Sequence, residues 1–303
     1  MKPTQDTIVD TPQSSHTDTS ESPRLNVLKT YKLYIGGKFP RTESGRHYKL
    51  EADGEVLANL CLASRKDFRN AVVAARAAQP GWAKASAFLR SQILYRVAEM
   101  LEGRASQFAS ELVQMGADPS EARAEVTAAI DTLVHYAGWA DKYTQVFSSV
   151  NPVASSHFNF SLPGPTGVVG VVAPEASGLL GLVSVVAPAI VGGNSVVVLA
   201  SRTKALCAVT LAEVLHTSDL PGGVVNLLTG DRGELLEHFG SHMDVNAVVY
   251  CGGDTEETGS LQTAAAENVK RVIVRADDAA LAPSPYAILD TQELKTTWHP
   301  IGQ

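Results

Sequence analysis

The chain contains the runs Val168-Val-Gly-Val-Val-Ala173 and Ser195-Val-Val-Val-Leu199, two short apolar stretches typical of strands buried on both faces. Similar runs follow at 224–228, 245–251 and 270–274, and helix-favouring segments separate the runs at 179–191, 204–216, 233–239 and 256–267. Strands that alternate with helices form a parallel sheet covered on both faces. The sequence therefore predicts an α/β fold with a doubly wound, Rossmann-like parallel sheet of about five strands.

The first half of the chain is predicted to be mainly helical. The Ala-rich residues 64–79 favour a helix, which Pro80-Gly81 is expected to end. The apolar positions of residues 93–101 fall on one face of a second helix, and Asp118-Pro119 opens a third that runs to about residue 142. Residues 32–39 predict a short strand, a Gly-Gly turn and the start of another strand.

Charge and cysteine content exclude several classes of protein. The net charge of −7 argues against a nucleic-acid or anionic-membrane surface. The three cysteines are widely spaced, which is typical of a reducing compartment and not of disulfides or a zinc site. No apolar run is long enough to cross a membrane, and the polar residues 1–24 are no secretory signal. We expect a cytoplasmic protein with a disordered tail at residues 1–27, an interaction tag being the less favoured reading of that tail.

The residues at the predicted strand ends do not by themselves define an active site. The turn after the first run, 173–178, lacks a GxGxxG pattern, and its Glu175 suits a helix-capping carboxylate better than a general base. The Gly-containing turns 229–233 and 251–254 are more typical of plain strand-to-helix connections than of phosphate loops. Cys251 is better explained as a buried, inert thiol than as a nucleophile. Five scattered histidines are interpreted as ordinary structural or surface residues, and Gly240 makes a continuous helix between two of them doubtful: His135, His216, His238, His242 and His299.

Several motifs in order resemble the aldehyde dehydrogenase superfamily. They are Gly164-Pro-Thr-Gly-Val-Val-Gly-Val-Val-Ala-Pro174, Ala187-Pro-Ala-Ile-Val-Gly-Gly-Asn-Ser-Val-Val-Val198, Leu220-Pro-Gly-Gly-Val-Val-Asn-Leu-Leu-Thr-Gly230, Asp244-Val-Asn-Ala-Val-Val-Tyr250 and Tyr34-Ile-Gly-Gly-Lys-Phe39. The resemblance covers residues 30 to 276. It implies the family's NAD-binding domain, at 28–144 plus 166–280, and an oligomerisation β-hairpin at 145–165 plus 286–303.

The resemblance fails at the functional positions. Ala176 stands where the family has the Asn that holds the thioester oxyanion, and Arg275 stands in place of the general-base Glu. Leu199 and Arg202 replace the Lys and Glu that bind the adenosine ribose, and Gly252-Gly253-Asp254 replaces the Gly-Ser-Thr turn at the pyrophosphate. These departures imply no catalysis by this chain alone and no cofactor, NAD or NADP included. An NADP-like ligand stays open because Arg202 could accept a phosphate.

The segment after Arg275 also departs from the family, whose catalytic domain with the nucleophilic Cys follows at this point. Here the chain runs on to residues 290–303, which look like the family's terminal strand. This pattern resembles the truncated second unit of family 16 aldehyde dehydrogenases, with the catalytic domain absent. It implies a non-catalytic subunit that donates strands to a full-length aldehyde dehydrogenase, or a homodimer, through these residues: Phe158, Phe160, Lys295, Thr296, Thr297 and Trp298.

Two further functions remain open from the sequence. One is a nucleotide-binding sensor module that uses the Rossmann-like domain. The other is aldehyde oxidoreductase activity, either only within a complex or as residual catalysis through Cys251.

Overall fold

The structure is a computed structural model that describes residues 27–277 and 282–302. The predicted tail at residues 1–27 lies outside the described residues except for its last residue, Val27. No helix in the described ranges is long and apolar enough to span a membrane.

A small three-stranded sheet precedes the helices, and the sequence analysis did not anticipate its main hairpin. Its strands are β1 (Thr30–Tyr31), β2 (His47–Ala52) and β3 (Glu55–Cys61), in the order β1-β3-β2. Asp53 and Gly54 join β2 to β3 with positive φ angles of 51° and 81°. Two successive positive φ angles define the tight hairpin turn that Asp-Gly favours, so this dipeptide was a usable signal.

The predicted Gly-Gly turn at residues 36–37 is present, with shorter flanks than expected. Ile35 and Lys38 exchange two backbone hydrogen bonds of 2.9 and 3.0 Å around it. Gly36 and Gly37 both adopt positive φ angles, which glycine tolerates without strain. The flanking segments form isolated bridges and no extended strands, because Tyr34 pairs with Leu227 instead.

Five helices follow, and the first of them corrects the sequence prediction. They are α1 (Arg65–Lys84), α2 (Ala87–Glu102), α3 (Ala105–Gln114), α4 (Pro119–Trp139) and α5 (Tyr143–Phe147). The prediction that Pro80-Gly81 ends α1 was wrong, since the helix runs on to Lys84. An interior proline costs about 3 kcal/mol. The last turn buries Trp82, whose Nε1 donates to the Ile190 carbonyl over 2.7 Å, and this contact offsets the cost.

The predicted doubly wound sheet is confirmed. Its strands are β6 (Val168–Val172), β7 (Ser195–Leu199), β8 (Val225–Leu228), β9 (Ala247–Cys251) and β10 (Arg271–Arg275), and its helices are α6 (Leu180–Val191), α7 (Leu206–His216), α8 (Arg232–Ser241) and α9 (Thr255–Ala266). All neighbouring strands are parallel, in the order β10-β9-β6-β7-β8. Helix α8 passes through Gly240 and ends at Ser241, so the helix includes His238 but not His242, which is its C-cap residue.

The alternation of side chains along the strands divides the core into two layers. Val168 and Val172 of β6 pack with α1, α8 and α9, whereas Val169 and Val171 pack with α2, α4, α6 and α7. Successive residues of a strand point to opposite faces, so a run of valines fills both layers at once. Strands β6 to β9 are therefore covered on both faces, as their continuous apolar runs require, whereas the edge strand β10 is partly exposed.

A third sheet lies beside the core. It consists of β4 (Ser149–Asn151), β5 (His157–Pro165) and β11 (Gln292–Pro300), in the antiparallel order β11-β5-β4, and the short α10 (Tyr286–Leu289) precedes β11. Residues 276–291 are all that separates β10 from β11. Asn194 Nδ2 donates to the Thr291 carbonyl over 3.0 Å and ties the start of β11 to the core. The division of the chain into domains at the expected boundaries stays a prediction.

Candidate functional site

The candidate site is the crevice where the strand order of the central sheet reverses. From β6 the chain proceeds outward to β7 and β8, then returns to the other side of β6 to form β9 and β10. The loops after β6 and β9 therefore leave in opposite directions. Ligands of open α/β sheets bind at this position, beyond the carboxyl ends of the strands.

The side chain of Arg232 crosses this crevice. Arg232 is the first residue of α8, and its Nη2 donates to the carbonyl oxygens of Ala173, after β6, and Cys251, at the end of β9, each over 3.2 Å. Its guanidinium also lies 3.8 Å from the Glu175 carboxylate and 3.7 Å from that of Glu257. The side chain is only 18% exposed. The chain's own cation thus holds the two diverging loops together.

Tyr250 and Glu257 complete the surroundings of Arg232. The Tyr250 hydroxyl donates to Glu257 over 2.5 Å, and the Arg232 guanidinium stands 5.5 Å from the centre of the Tyr250 ring. Burial, together with the Glu257 carboxylate, raises the pKa of Tyr250 to about 12. The phenol therefore stays protonated and serves as a hydrogen-bond donor to Glu257.

Glu175 closes the turn after β7. Its carboxylate accepts from Ser201 Oγ over 2.6 Å and from the Arg202 backbone N–H over 2.9 Å. The expectation that Glu175 caps its own helix was wrong, because Glu125 of α4 accepts from the N–H groups of Leu179 and Leu180 at 2.9 and 3.1 Å. Glu175 precedes α6 by five residues, which brings its side chain to the neighbouring turn.

Two aspartates occupy the starts of the next two helices. Asp231 accepts from the Glu234 N–H at the start of α8 over 3.3 Å. Asp254 accepts from the Glu256 and Glu257 N–H groups at the start of α9, over 2.8 and 3.0 Å. In the turns 229–233 and 251–254, these aspartates therefore occupy the backbone N–H donors at the helix starts. A bound phosphate would need the same donors.

Arg202 is engaged as well. Its guanidinium forms an ion pair with Asp231 and stands 5.1 Å from the centre of the Tyr48 ring. A phosphate bound there would have to displace the Asp231 carboxylate.

These residues do not fit a dinucleotide. The arginine of the crevice is neutralised by Glu175 and Glu257, and the helix-start donors are taken by Asp231 and Asp254. A pyrophosphate needs free N–H groups and a positive field. It would meet carboxylates here, and their repulsion disfavours it.

The other positions predicted to be degenerate lie at the same edge of the sheet. Ala176 is exposed in the loop after β6, and Leu199 is buried at the end of β7. The Gly252 N–H donates to the Arg275 carbonyl over 3.0 Å, and Gly253 is the exposed residue that follows. Arg275 itself, where the resemblance places a general base, donates to Asp290 Oδ2 over 2.8 Å and braces the segment that leads to β11.

The cysteines of the described ranges are all unpaired and buried. Cys251 is 1% exposed, and burial raises its pKa to about 11, so the expected burial of this thiol is confirmed. Burial also raises the pKa of Cys207 far above the ordinary value. No cluster of three or more potential metal ligands occurs in the residues that the structure covers.

The predicted interface residues lie on the third sheet but on two different faces. Antiparallel register puts Phe158 and Phe160 of β5 opposite His299 and Thr297 of β11, and puts Lys295 opposite Leu162. Directly opposite residues share a face, so these side chains form one surface with Val150. Thr296 and Trp298 lie on the reverse face, where Thr296 Oγ1 is 2.8 Å from Ser161 Oγ.

Sequence reasoning missed Arg232, Glu125 and Glu257 as parts of the site. The one local signal was Arg232 itself, because a cation at the first position of a helix opposes the helix dipole. A cation at that position needs a specific anionic or carbonyl partner. The partners lie 59 residues before it and 19 residues after it in sequence, so only the fold identifies them.

The fold and the crevice define a Rossmann-like α/β domain whose ligand position is spanned by its own arginine. The sequence model of the aldehyde dehydrogenase family matches residues 43–277. The chain belongs to the aldehyde dehydrogenase family.

Curated relatives and solved structures agree with this assignment. The chain is 33% identical over 258 residues to 2-hydroxymuconic semialdehyde dehydrogenase of Pseudomonas sp. (strain CF600), which covers 81% of this chain and 52% of the relative. It is 30% identical over 256 residues to the cytosolic 10-formyltetrahydrofolate dehydrogenase of Mus musculus, which covers 82% of this chain and 28% of the relative. The NAD+ complex of aldehyde dehydrogenase from Bacillus cereus superposes with a TM-score of 0.77 at 25% identity, over 82% of this chain and 51% of that one. The chain thus spans about half the length of these bacterial proteins.

Proposed function

We propose that this chain is a non-catalytic aldehyde dehydrogenase family subunit that pairs with a full-length, NAD(P)-dependent aldehyde dehydrogenase. It donates the strands of the third sheet to that partner. In this role it corresponds to the truncated, cysteine-domain-lacking unit of family 16 enzymes. Its unpaired cysteines suit the reducing cytoplasm.

The observation that carries the proposal is the exposed edge of β11. Residues 293–300 are all exposed, and the only strand they pair with in the described ranges is β5. Leu294, Trp298 and Ile301 add apolar side chains that are 67%, 57% and 53% exposed. A long, unpaired strand edge is a template for pairing with another chain, which soluble proteins usually protect. Such an edge supports β-augmentation by a partner.

The face formed by Phe158, Phe160, Leu162 and Val150 supports the same role. A cavity of about 290 Å³ opens over it. Of the nineteen large apolar side chains that are exposed in the described ranges, seven lie in residues 146–162 and 294–301. This concentration of apolar surface is typical of a protein interface.

The crevice supports the non-catalytic part of the proposal. The positions matched to the oxyanion donor and the general base hold Ala176 and Arg275, and Arg275 is committed to Asp290. The NAD+ carried by the Bacillus cereus relative has no matching set of free donors in this chain. Chemistry would therefore depend on the partner's own site.

Co-expression with a full-length aldehyde dehydrogenase from the same cell tests the proposal. We expect the tagged chain to purify with that enzyme, and light scattering to give the mass of a hetero-oligomer. The double variant Leu294→Lys/Trp298→Lys should abolish co-purification. Phe88→Lys, which removes a 68% exposed apolar side chain from α2, should not. A chain that purifies alone, as a monomer or a homodimer, would refute the pairing.

A further inference from the structure

A cavity of about 340 Å³ lies between α1 and the C-terminal end of α8, away from the crevice. Its lining residues are Arg65, Phe68, Arg69, His238, Ser241, His242 and Met243. Phe68 is buried and forms the floor, with its ring centre 6.5 Å from that of His238 and 5.8 Å from that of His242. The sequence analysis treated both histidines as ordinary residues, but the fold brings them to one cavity with two arginines.

The cationic groups of this cavity have no anionic partner in the described residues. The side chains of Arg65, Arg69 and His238 form no hydrogen bond or ion pair within those ranges. His242 accepts a hydrogen bond at Nδ1 from the Asp244 N–H over 3.2 Å, which leaves its Nε2 as a donor. Arg65 and Arg69 are four residues apart on one face of α1, whereas His238 lies in the last turn of α8 and His242 is its C-cap residue. The like charges of the two arginines repel each other at this spacing, and a bound anion would relieve the repulsion.

Charges from the neighbouring elements leave the cavity positive. Lys270, just before β10, donates its ammonium to the Phe239 and His242 carbonyls over 3.1 and 2.8 Å. Asp244 is the nearby carboxylate, and Arg76 of α1 lies 3.9 Å from it. Burial lowers the pKa of His242; Asp244 opposes this shift, whereas Lys270, Arg69 and His238 add to it.

We propose that this cavity binds the phosphate group of a small organic phosphate. Arginine guanidinium groups match the paired oxygens of a phosphate, and imidazole N–H groups add further donors. Met243, which is 78% exposed, offers an apolar surface to the organic part of the ligand above the buried Phe68 ring. The site is independent of the nucleotide crevice and goes beyond the proposed partner role.

His242 takes part through its neutral ring, because burial lowers its pKa and its Nδ1 accepts the Asp244 N–H. Its Nε2–H is therefore the donor that is available to the phosphate, and the two arginines supply the charge.

The test uses phenyl phosphate, inorganic phosphate and benzoate as probes. Calorimetry measures the affinity of each probe, and the NMR signals of the histidine rings report where it binds. Phenyl phosphate should shift the ring signals of both histidines. Arg65→Gln and Arg69→Gln should each weaken binding by about tenfold, the loss of one charge-assisted hydrogen bond. Arg123→Gln, an exposed arginine on α4, should have no effect.

The probes also distinguish the source of the phosphate. Tighter binding of phenyl phosphate than of inorganic phosphate supports an organic ester. Equal binding of both, with the same arginine dependence, assigns the site to the free ion and overturns the ester. Benzoate binding as tightly as phenyl phosphate overturns the phosphate assignment. Unchanged histidine signals with every probe, or arginine variants that bind like the parent chain, overturn the site itself.

Discussion

Nη2 of Arg232 lies 3.2 Å from the carbonyl oxygen of Cys251, so the first residue of α8 is bonded to the end of β9 across the crevice. The same nitrogen reaches Ala173 after β6, and two carboxylates balance the guanidinium. The position at which open α/β sheets bind ligands is thus stabilised by contacts within the chain.

Replacement of Arg232 should therefore destabilise the protein. Arg232→Met removes the donor of two backbone carbonyls and leaves Glu175 and Glu257 without their cation, and we expect a loss of about 2 kcal/mol in the free energy of unfolding. Urea denaturation measures it. Arg46→Met is a matched control, since it breaks only an exposed, solvent-screened ion pair with Glu234 and should change the free energy of unfolding little. Equal losses of unfolding free energy in the two variants would show that the crevice contacts stabilise the chain no more than an exposed ion pair does.

The parent chain should bind neither NAD nor NADP. We expect no saturable signal in calorimetry at nucleotide concentrations up to about 1 mM, because carboxylates cap the donors that a pyrophosphate requires. The variant Asp254→Ser removes one negative charge but keeps a helix cap. It should therefore bind both nucleotides more tightly than the parent chain does. Tight binding of either nucleotide by the parent chain would favour the sensor function instead.

Buried Glu111 should make stability depend on pH. Burial raises its pKa, although Thr210 and Gln107 donate to Oε1 over 2.6 and 3.0 Å, and its Oε2 has no partner. A raised carboxyl pKa means that this group's stabilising contribution is full below the unfolded pKa, near 4.5, and is lost as pH rises through the folded value.

Glu111→Gln should thus be more stable than the parent near pH 7, by about 1 kcal/mol, and the difference should vanish near pH 4. Thermal unfolding across this range measures it. Glu102→Gln, at the exposed end of α2, is the control. The difference in stability between this variant and the parent chain should not change with pH. A Glu111→Gln variant that is less stable at every pH would mean that the carboxylate is needed for its hydrogen bonds.

Cys251 should react slowly with thiol reagents. It is 1% exposed and burial raises its pKa to about 11, so little thiolate forms near neutral pH. Mass spectrometry after timed iodoacetamide treatment should find this cysteine unmodified in the folded chain and modified in urea. Fast labelling of Cys251, together with an aldehyde oxidation activity that Cys251→Ser abolishes, would instead support residual catalysis through this cysteine.

Local sequence patterns predicted the helices and strands of the central fold but not all of the residues at which they end. Five apolar runs predicted five parallel strands, because a strand buried on both faces must be apolar throughout. Pro80 was misread because local propensity favours a helix end there, whereas the burial of Trp82 lies outside any local window. Glu175 was assigned to its own helix because Glu125, fifty residues earlier, was not visible as a competitor.

The sequence by itself determined the α/β class, the order of the elements and the loss of the family's functional side chains. Each of these is carried by residue type and short-range periodicity. Tertiary structure alone decided that Arg232 spans the crevice, that two arginines and two histidines line one cavity, and that strand register divides Phe160 from Trp298 onto opposite faces. The physical reason is that side-chain charge and hydrogen bonding act over a few ångströms in space, and only folding brings residues distant in sequence within that reach.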